Sequence, residues 1–507
     1  MKPSDPPGAS GEAGLNAELP ASPDITAAAD ASGWAGLFRS PSGRSTTGAK
    51  IASPAGQYSW AMFEGARNPY VLLVTIYFFA PYFSGHVVGD TVRGQAIWGD
   101  IAAYGGITIA VLAPFLGAVA DAGGRRKPWI GFYTAIMITA MVLMWFSPPN
   151  ATAMQLFMVG ALVALANVAF EFSAVFHNAM LPTIVPPRGV AGLSGLGLAL
   201  GNAAGILLLL FMLIAFALPG HVDWPFIPAH PLFGVDQAAH EPERLAGPVA
   251  GLWLLLFSIP LFLFTPDQPS QGLPLFTAMR QGVRSVASTV RSLKHYRNVG
   301  TYLLARLFFN DGMTAVLTFG GIYASGTFHW GPIPMLAYGI ELSVFAVLGG
   351  FLGGWLDNRL GSKRAIFVSI GGTAIFGLLS LTMGPDRIFW FIPYDVHAAP
   401  INGLPFFNTW PEVIFLLIVN GIAVLITAGY ANSRTMLARI APPEKMTEFF
   451  GLYSLSGTST TFLASLLVGL LTTWTQSQRG GMLGQTVFLT IGLILMLFVK
   501  EERTKVV

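Results

Sequence analysis

Twelve long apolar stretches recur along this chain, at 58–84, 96–120, 129–147, 152–177, 190–218, 247–265, 299–325, 333–356, 365–384, 411–434, 449–473 and 482–500. A helix needs about 20 residues to cross ~30 Å of hydrocarbon, so each stretch is predicted to be a membrane-spanning α-helix. Barrel strands would show as alternating segments of about ten residues; these runs are longer and continuous. The predicted fold class is an all-α integral membrane protein with 12 transmembrane helices. Charge content agrees: only 10% of the 507 residues are Asp, Glu, Lys or Arg, against about 25% in soluble globular chains. With no cysteine in the chain, disulfides, thiolate metal sites, iron–sulfur clusters and a cysteine nucleophile are excluded.

Basic residues set the expected orientation. With the N-terminus inside, inner loops and tails hold 22 of the 28 Lys and Arg residues and outer loops hold four, Arg93, Arg244, Arg387 and Arg479. Arg67 and Arg306 fall within spans. This asymmetry follows the positive-inside rule and predicts a multi-pass protein of the cytoplasmic membrane with both termini cytoplasmic. Basic residues spread over many inner loops give no nucleic-acid surface, despite the net charge of +3. Residues 1–57 are rich in Ala, Gly, Ser and Pro and read as a disordered cytoplasmic tail without a secretory h-region. The remaining divisions are a first six-helix bundle at 58–265, a cytoplasmic central loop at 266–298, a second bundle at 299–500 and a tail at 501–507.

The halves repeat. Gly117–Asp121 with Lys127 lies 236 residues before Gly353–Asp357 with Lys363. Met180-Leu181, Pro186-Pro187 and Gly195-Leu196 recur 256 residues later as Met436-Leu437, Pro442-Pro443 and Gly451-Leu452. Glu64-Gly65 matches Asp311-Gly312. Six spans plus six spans is the plan of a parallel-repeat transporter.

The loop from Gly117 through Asp121 to Arg125-Arg126-Lys127 resembles the inner-loop signature of the major facilitator superfamily. Other stretches resemble its vacuolar-effluxer branch, the relatives of the autophagy-related amino-acid effluxer. They are Phe78–Phe83, His177–Pro187, Ser194–Gly201, Phe309–Gly312 with Phe319–Tyr323, and Glu448–Gly457. The first span departs from the branch pattern by placing Glu64 and Arg67 where an aspartate is expected, and Asn432 stands before Ser433-Arg434 where a glutamine is expected. The resemblance implies a major facilitator fold of two six-helix bundles. It implies a monomeric carrier without cofactors that exports an amino acid or similar small polar metabolite by alternating access.

Ionisable residues inside spans cost about 2.5–3.5 kcal/mol at a helix centre and mark functional positions by default. Here they are Glu64, Arg67, Glu171, Arg306, Asp311 and Glu341, with His177 near a span end. Glu64, Arg67, Glu171, Arg306, Asp311 and Glu341, together with Asn310, are the expected lining of a solute and proton cavity, while His177 reads as a structural hydrogen-bonder near the inner mouth. Glu64 and Arg67, at i and i+3, share a helix face and can pair. As repeat-mates, Glu64 and Asp311 are expected on opposite sides of one cavity. Four acids stand against two arginines, so at least one carboxyl lacks a basic partner and proton coupling is physically available. A static ion-pair network would use the same residues.

Asp121, Arg125 and Lys127 in one inner loop, and Asp357 and Lys363 in its copy, are the expected cytoplasmic gate. An acid at a helix end with basic residues just beyond can lock neighbouring helices by charge-assisted bonds. Gly197, Gly201 and Gly205, and Gly349, Gly350, Gly353 and Gly354, form small-residue faces that permit close helix approach, expected either as a sliding seam between the halves or as static close packing. No P-loop, Gly-x-Ser-x-Gly elbow or His-Glu-x-x-His pair occurs. The expected function is secondary transport. A drug or sugar exporter, a non-transporting receptor or assembly protein on the same fold, and a membrane-embedded enzyme remain alternatives.

Overall fold

The computed structural model describes residues 50–123, 125–186, 190–268, 294–441 and 460–501, with Ser45 and positions 277, 280, 291, 449, 452, 453, 456 and 457. Most of the disordered tail expected over 1–57, most of the central loop 266–298 and the tail beyond 501 lie outside the described residues. The first helix begins inside that expected tail, because Ser53 caps it and Pro54 presets its first turn.

Although most of 449–459, the first part of the eleventh stretch, lies outside the described residues, every predicted stretch overlaps a helix. These are α1 (Pro54–Tyr70), α2 (Thr91–Gly123), α3 (Lys127–Leu143), α4 (Ala153–Ile184), α5 (Val190–Met212), α6 (Glu241–Phe264), α7 (Arg297–Phe328), α8 (Pro332–Leu360), α9 (Ser362–Ser380), α10 (Trp410–Ile440), α11 (Thr461–Thr475) and α12 (Gln478–Leu497). Among the described residues, 10 helical segments are long and apolar enough to cross a membrane. The two that fall short differ in kind. Helix α7 spans 32 residues but carries Arg306, Asn310 and Asp311 near its middle, whereas α11 has 15 residues. The all-α description holds apart from a two-stranded hairpin, Arg387–Ile388 with Ile392–Pro393, in the α9–α10 connection.

Capping boxes start α4 (Thr152 with Gln155) and α10 (Thr409 with Glu412). Helix α1 runs on through π-helical turns at Val71–Tyr77 and Phe83–Val87, and α5 through one at Leu213–Ala217. Pro69 and Pro81 remove N–H donors from α1, which favours such slipped turns.

Packing repeats between the halves. Helix α1 packs on α5 and α6, α4 on α2 and α3, and α3 on α6; α7 packs on α11 and α12, α10 on α8 and α9, and α9 on α12. The halves meet chiefly through α2 with α11, α5 with α8, and the π-turns of α1 with α7.

The glycine seam is a correction. A Cβ on Gly197, Gly201 or Gly205 would meet Glu64, Asn68 and Leu72 of α1, in the same half. Gly349 and Gly353 likewise press on α10, while Gly350 and Gly354 face open space. Glycine spacing predicts a close-packing face but not its partner. The cross-half seam runs instead through Gly99 of α2, whose Cβ would lie 2.9 Å from the Gly469 Cα of α11. Beside it the Gln95 amide donates to Thr472 Oγ1 (2.8 Å) and to the Gln478 carbonyl (3.2 Å), and the Gln478 amide donates to the Thr91 carbonyl (2.9 Å). This contact joins the halves at the end of the bundle away from the short, basic α2–α3 and α8–α9 connections.

Candidate functional site

A cavity of about 600 Å³ lies between the halves, walled by α1 and α5 on one side and α7, α8, α10 and α12 on the other. Its wall is largely aliphatic, including Leu72, Ile76, Leu342, Val347, Ile422 and Ile426. Polar side chains interrupt it: Asn68, Asn202, Thr427, Arg434 and Gln485, with the hydroxyls of Ser343, Ser380, Tyr77, Tyr323, Tyr338 and Tyr430. Arg434 is exposed and makes no ion pair or hydrogen bond among the described residues, while the Gln485 side chain is buried and its Oε1 has no partner there. Leu198, Val347, Gly350 and Arg434, towards the basic end, are exposed, so the cavity opens away from the α2–α11 seal.

A second space of about 170 Å³ lies between α2 and α4 of the first half and α7 and α11 of the second. Glu171, Asn167, Thr75, Thr314, Thr318 and Ser465 line it. Of the seven residues expected to line a solute and proton cavity, only Glu171 lines either space. It makes no ion pair among the described residues.

Glu64 and Arg67 pair along α1, the guanidinium Nε and Nη2 each donating at 2.9 Å to one carboxylate oxygen. Arg67 also lies 4.5 Å over the Phe170 ring of α4. Glu64 Oε1 is 3.4 Å from His177 Nδ1. The His177 ring stacks on Trp60 at 4.3 Å, and each of these residues bonds the other's carbonyl oxygen at 2.9 Å. The cluster therefore joins α1 to α4 within one half.

Arg306 joins α7 to the segment before α11. Its Nη1 donates to the Tyr453 carbonyl (2.7 Å) and Ser456 Oγ (2.6 Å), and the guanidinium covers the Tyr453 ring at 3.4 Å. The Asn310 amide donates to the Gly457 carbonyl (3.3 Å). Asp311 is fully buried. It accepts one bond, from Thr460 Oγ1 at 3.2 Å, and its Oδ2 has no partner among the described residues. Glu341 accepts from the Asn420 amide at 2.6 Å. The expectation that Glu64 and Asp311 face each other across one cavity is corrected: neither lines the central cavity, Glu64 pairing with Arg67 of its own half and Asp311 accepting its one bond from Thr460 of its own half.

The gate residues are also bound within halves. Lys127 Nζ donates to the Phe262 carbonyl at the end of α6 (3.0 Å), and Asp267 accepts from the Arg126 and Lys127 amides at 2.9 and 3.2 Å. The second half copies this. Lys363 Nζ reaches the Leu497 and Val499 carbonyls (3.1 and 2.7 Å), and Glu501 accepts from the Ser362 and Lys363 amides at 2.9 and 3.1 Å. In both, a carboxylate caps a helix N-terminus and a lysine meets a C-terminal carbonyl, as the helix dipole favours. Asp357 pairs with Arg439 (2.6 Å) and accepts from the Ser362 hydroxyl, and Arg439 also holds Glu501 (2.9 Å). Arg125 is exposed, and the Asp121 side chain lies outside the described residues. Sequence reading missed Asp267, Glu501 and Arg439, although Asp267 and Glu501 recur at nearly the spacing of Lys127 and Lys363. It also missed Asn68, Asn202 and Gln485, which a survey of neutral polar residues in spans would have found.

Among solved structures, this fold is similar to that of the D-xylose-proton symporter, with a TM-score of 0.61 at 13% identity, covering 88% of this chain and 98% of that one. Among sequences, the chain is 22% identical over 459 residues to the uncharacterized MFS-type transporter YxiO of Bacillus subtilis, covering 88% of this chain and 94% of that protein. It is 23% identical over 367 residues to autophagy-related protein 22 of Yarrowia lipolytica, covering 68% of this chain but 56% of the relative. The fold and these relatives define a multi-pass membrane transporter of the major facilitator type. Within that class, the chain belongs to the vacuole effluxer Atg22-like family, whose model matches residues 105–506.

Proposed function

We propose that this transporter moves a small solute carrying a carboxylate and an apolar body, an amino acid or similar metabolite, by alternating access. The observation that carries the reading is the 600 Å³ inter-half cavity with exposed Arg434 at its basic side. A guanidinium presents a fixed fork to a carboxylate, aliphatic walls accept an apolar side chain, and Asn68, Asn202 and Gln485 supply hydrogen bonds. A wall this apolar suits a sugar less well, since each hydroxyl needs a partner once desolvated. The family is named for a vacuole effluxer, which supports export.

The arrangement has one end sealed by α2 and α11 and the cavity open toward the basic loops. By the positive-inside rule that open end is cytoplasmic, so the state is inward-facing, in a cytoplasmic membrane with both termini inside. Asp311 is the candidate proton carrier, being a buried carboxyl with one hydroxyl partner. One proton moving down 100 mV is worth about 2.3 kcal/mol, or roughly a 50-fold gradient. The reading needs no cofactor and no partner subunit.

The test is counterflow in proteoliposomes with leucine, phenylalanine, glutamate, xylose and an amphipathic dye. Exchange of an apolar amino acid that Arg434→Gln reduces at least about tenfold supports the reading. Exchange of the dye or xylose alone, or amino-acid exchange untouched by the substitution, overturns it.

A further inference from the structure

A third cavity, of about 370 Å³, lies at the sealed end, apart from both spaces above. Its wall comes from both halves: the last turns of α1 and the start of α6 on one side, and the α7–α8 connection on the other. That volume is within the range of small-molecule sites.

Glu243 of α6 lines it and is 4% exposed. Its Oε1 lies 3.0 Å from His240 Nδ1, while its Oε2 is buried with no partner among the described residues. A helix N-terminus explains an acid in the first turn, as it does for Glu241, but not one buried with an oxygen unpaired. The neighbouring cation is turned elsewhere: Arg244 Nε donates to the Trp145 carbonyl (2.8 Å), and its guanidinium lies 4.6 Å over the Trp145 ring. The aromatic rings of Phe78, Tyr82 and Trp330 line the same cavity. The His86 and His240 rings are 4.0 Å apart, Tyr82 is 5.7 Å from His240, and Trp330 enters from the other half with its indole N–H committed to Glu412 (2.6 Å).

A buried carboxylate oxygen lacking a donor, beside aromatic faces, is the chemistry that recognises an organic ammonium group. The ammonium supplies several N–H donors, and aromatic rings attract its charge. We propose that this cavity binds the ammonium group of a small organic amine, with Glu243 Oε2 as its acceptor, and that the bound amine bridges the halves and holds this end shut. The site stands whether or not the central cavity takes an amino acid.

The experiment uses the full chain in nanodiscs. Unfolding temperature and tryptophan fluorescence are titrated with phenethylamine, its neutral analogue phenethyl alcohol, anionic 3-phenylpropionate and zwitterionic phenylalanine. Saturable stabilisation by phenethylamine and not by the alcohol or the acid is expected. Its apparent affinity should fall at least about tenfold in Glu243→Gln, the loss expected for a charge-assisted bond, and stay within twofold in Arg434→Gln. Phenylalanine should lose affinity in Arg434→Gln if it binds centrally, which separates that site from this one. Equal stabilisation by the alcohol, or amine affinity retained in Glu243→Gln, overturns the proposal. If Glu243→Gln does not fold, Gly331→Leu decides. Gly331 lines the cavity at φ −78° and an added Cβ there meets nothing within 4 Å. Filling the space must abolish the amine response, and a retained response overturns the site.

Discussion

His240 shows how a single residue can be read for pH behaviour. It caps α6 from a left-handed conformation, φ 55°, and the hydrogen bond and charge of Glu243 hold its imidazolium above the ordinary histidine range. The groups near it are Glu243, Glu241 and Arg244 on α6, Tyr82 and His86 on the last turns of α1, and His329 on the α7–α8 connection. A raised folded-state value means that the pair's stabilisation is full below about pH 6.5 and fades as pH rises through the folded value. Wild type should therefore exceed His240→Gln in unfolding temperature by more at pH 5.5 than at pH 8.5. Equal differences at both values would refute the linkage. Residue roles were the least legible part of the sequence. A buried acid such as Asp311 announces itself by its cost in a span, but whether it meets an arginine, a hydroxyl or a cavity depends on neighbours more than a hundred residues away. Glu64 found an arginine one turn on, which spacing could foresee, and His177 of α4, which spacing could not.

At the scale of elements, two contacts invite opposite predictions. The Asp267 and Glu501 caps each satisfy two helix N-terminal amides, and losing such a cap costs about 1 kcal/mol. Glu501→Ala also removes one of the two carboxylates that hold Arg439, so it should lower stability more than Asp267→Ala, as chemical denaturation in detergent would show; equal losses would argue that the Arg439–Glu501 bond adds nothing. The Gly99 contact is different. A side chain there collides with the α11 backbone at 2.9 Å, so Gly99→Leu should loosen the sealed end while leaving each half folded. Thiol labelling of an added cysteine at Thr472 should rise several-fold, and unchanged labelling would place the seal elsewhere. Helix existence was legible because apolar length is written directly in the chain. Seam partners were not, because a glycine face fits any smooth neighbour and the same spacing serves contacts within and between halves.

For the whole molecule, the repeat seen as 236- and 256-residue offsets reappears as the same helix-packing pattern in each half and as duplicated lysine and carboxylate caps at the basic end. Each half is thus stitched internally at that end, while the described contacts that join the halves lie mainly toward the opposite one. Two rigid bodies hinged on a breakable seal can expose the central cavity to either side in turn. The absence of native cysteine lets the seal be locked at chosen positions. Gln95→Cys with Thr472→Cys, bridged by a short bifunctional thiol reagent and reconstituted in proteoliposomes, tests this most directly. Solute exchange should stop on bridging and return when a cleavable bridge is cut; exchange that continues at the unbridged rate would contradict alternating access through this cavity.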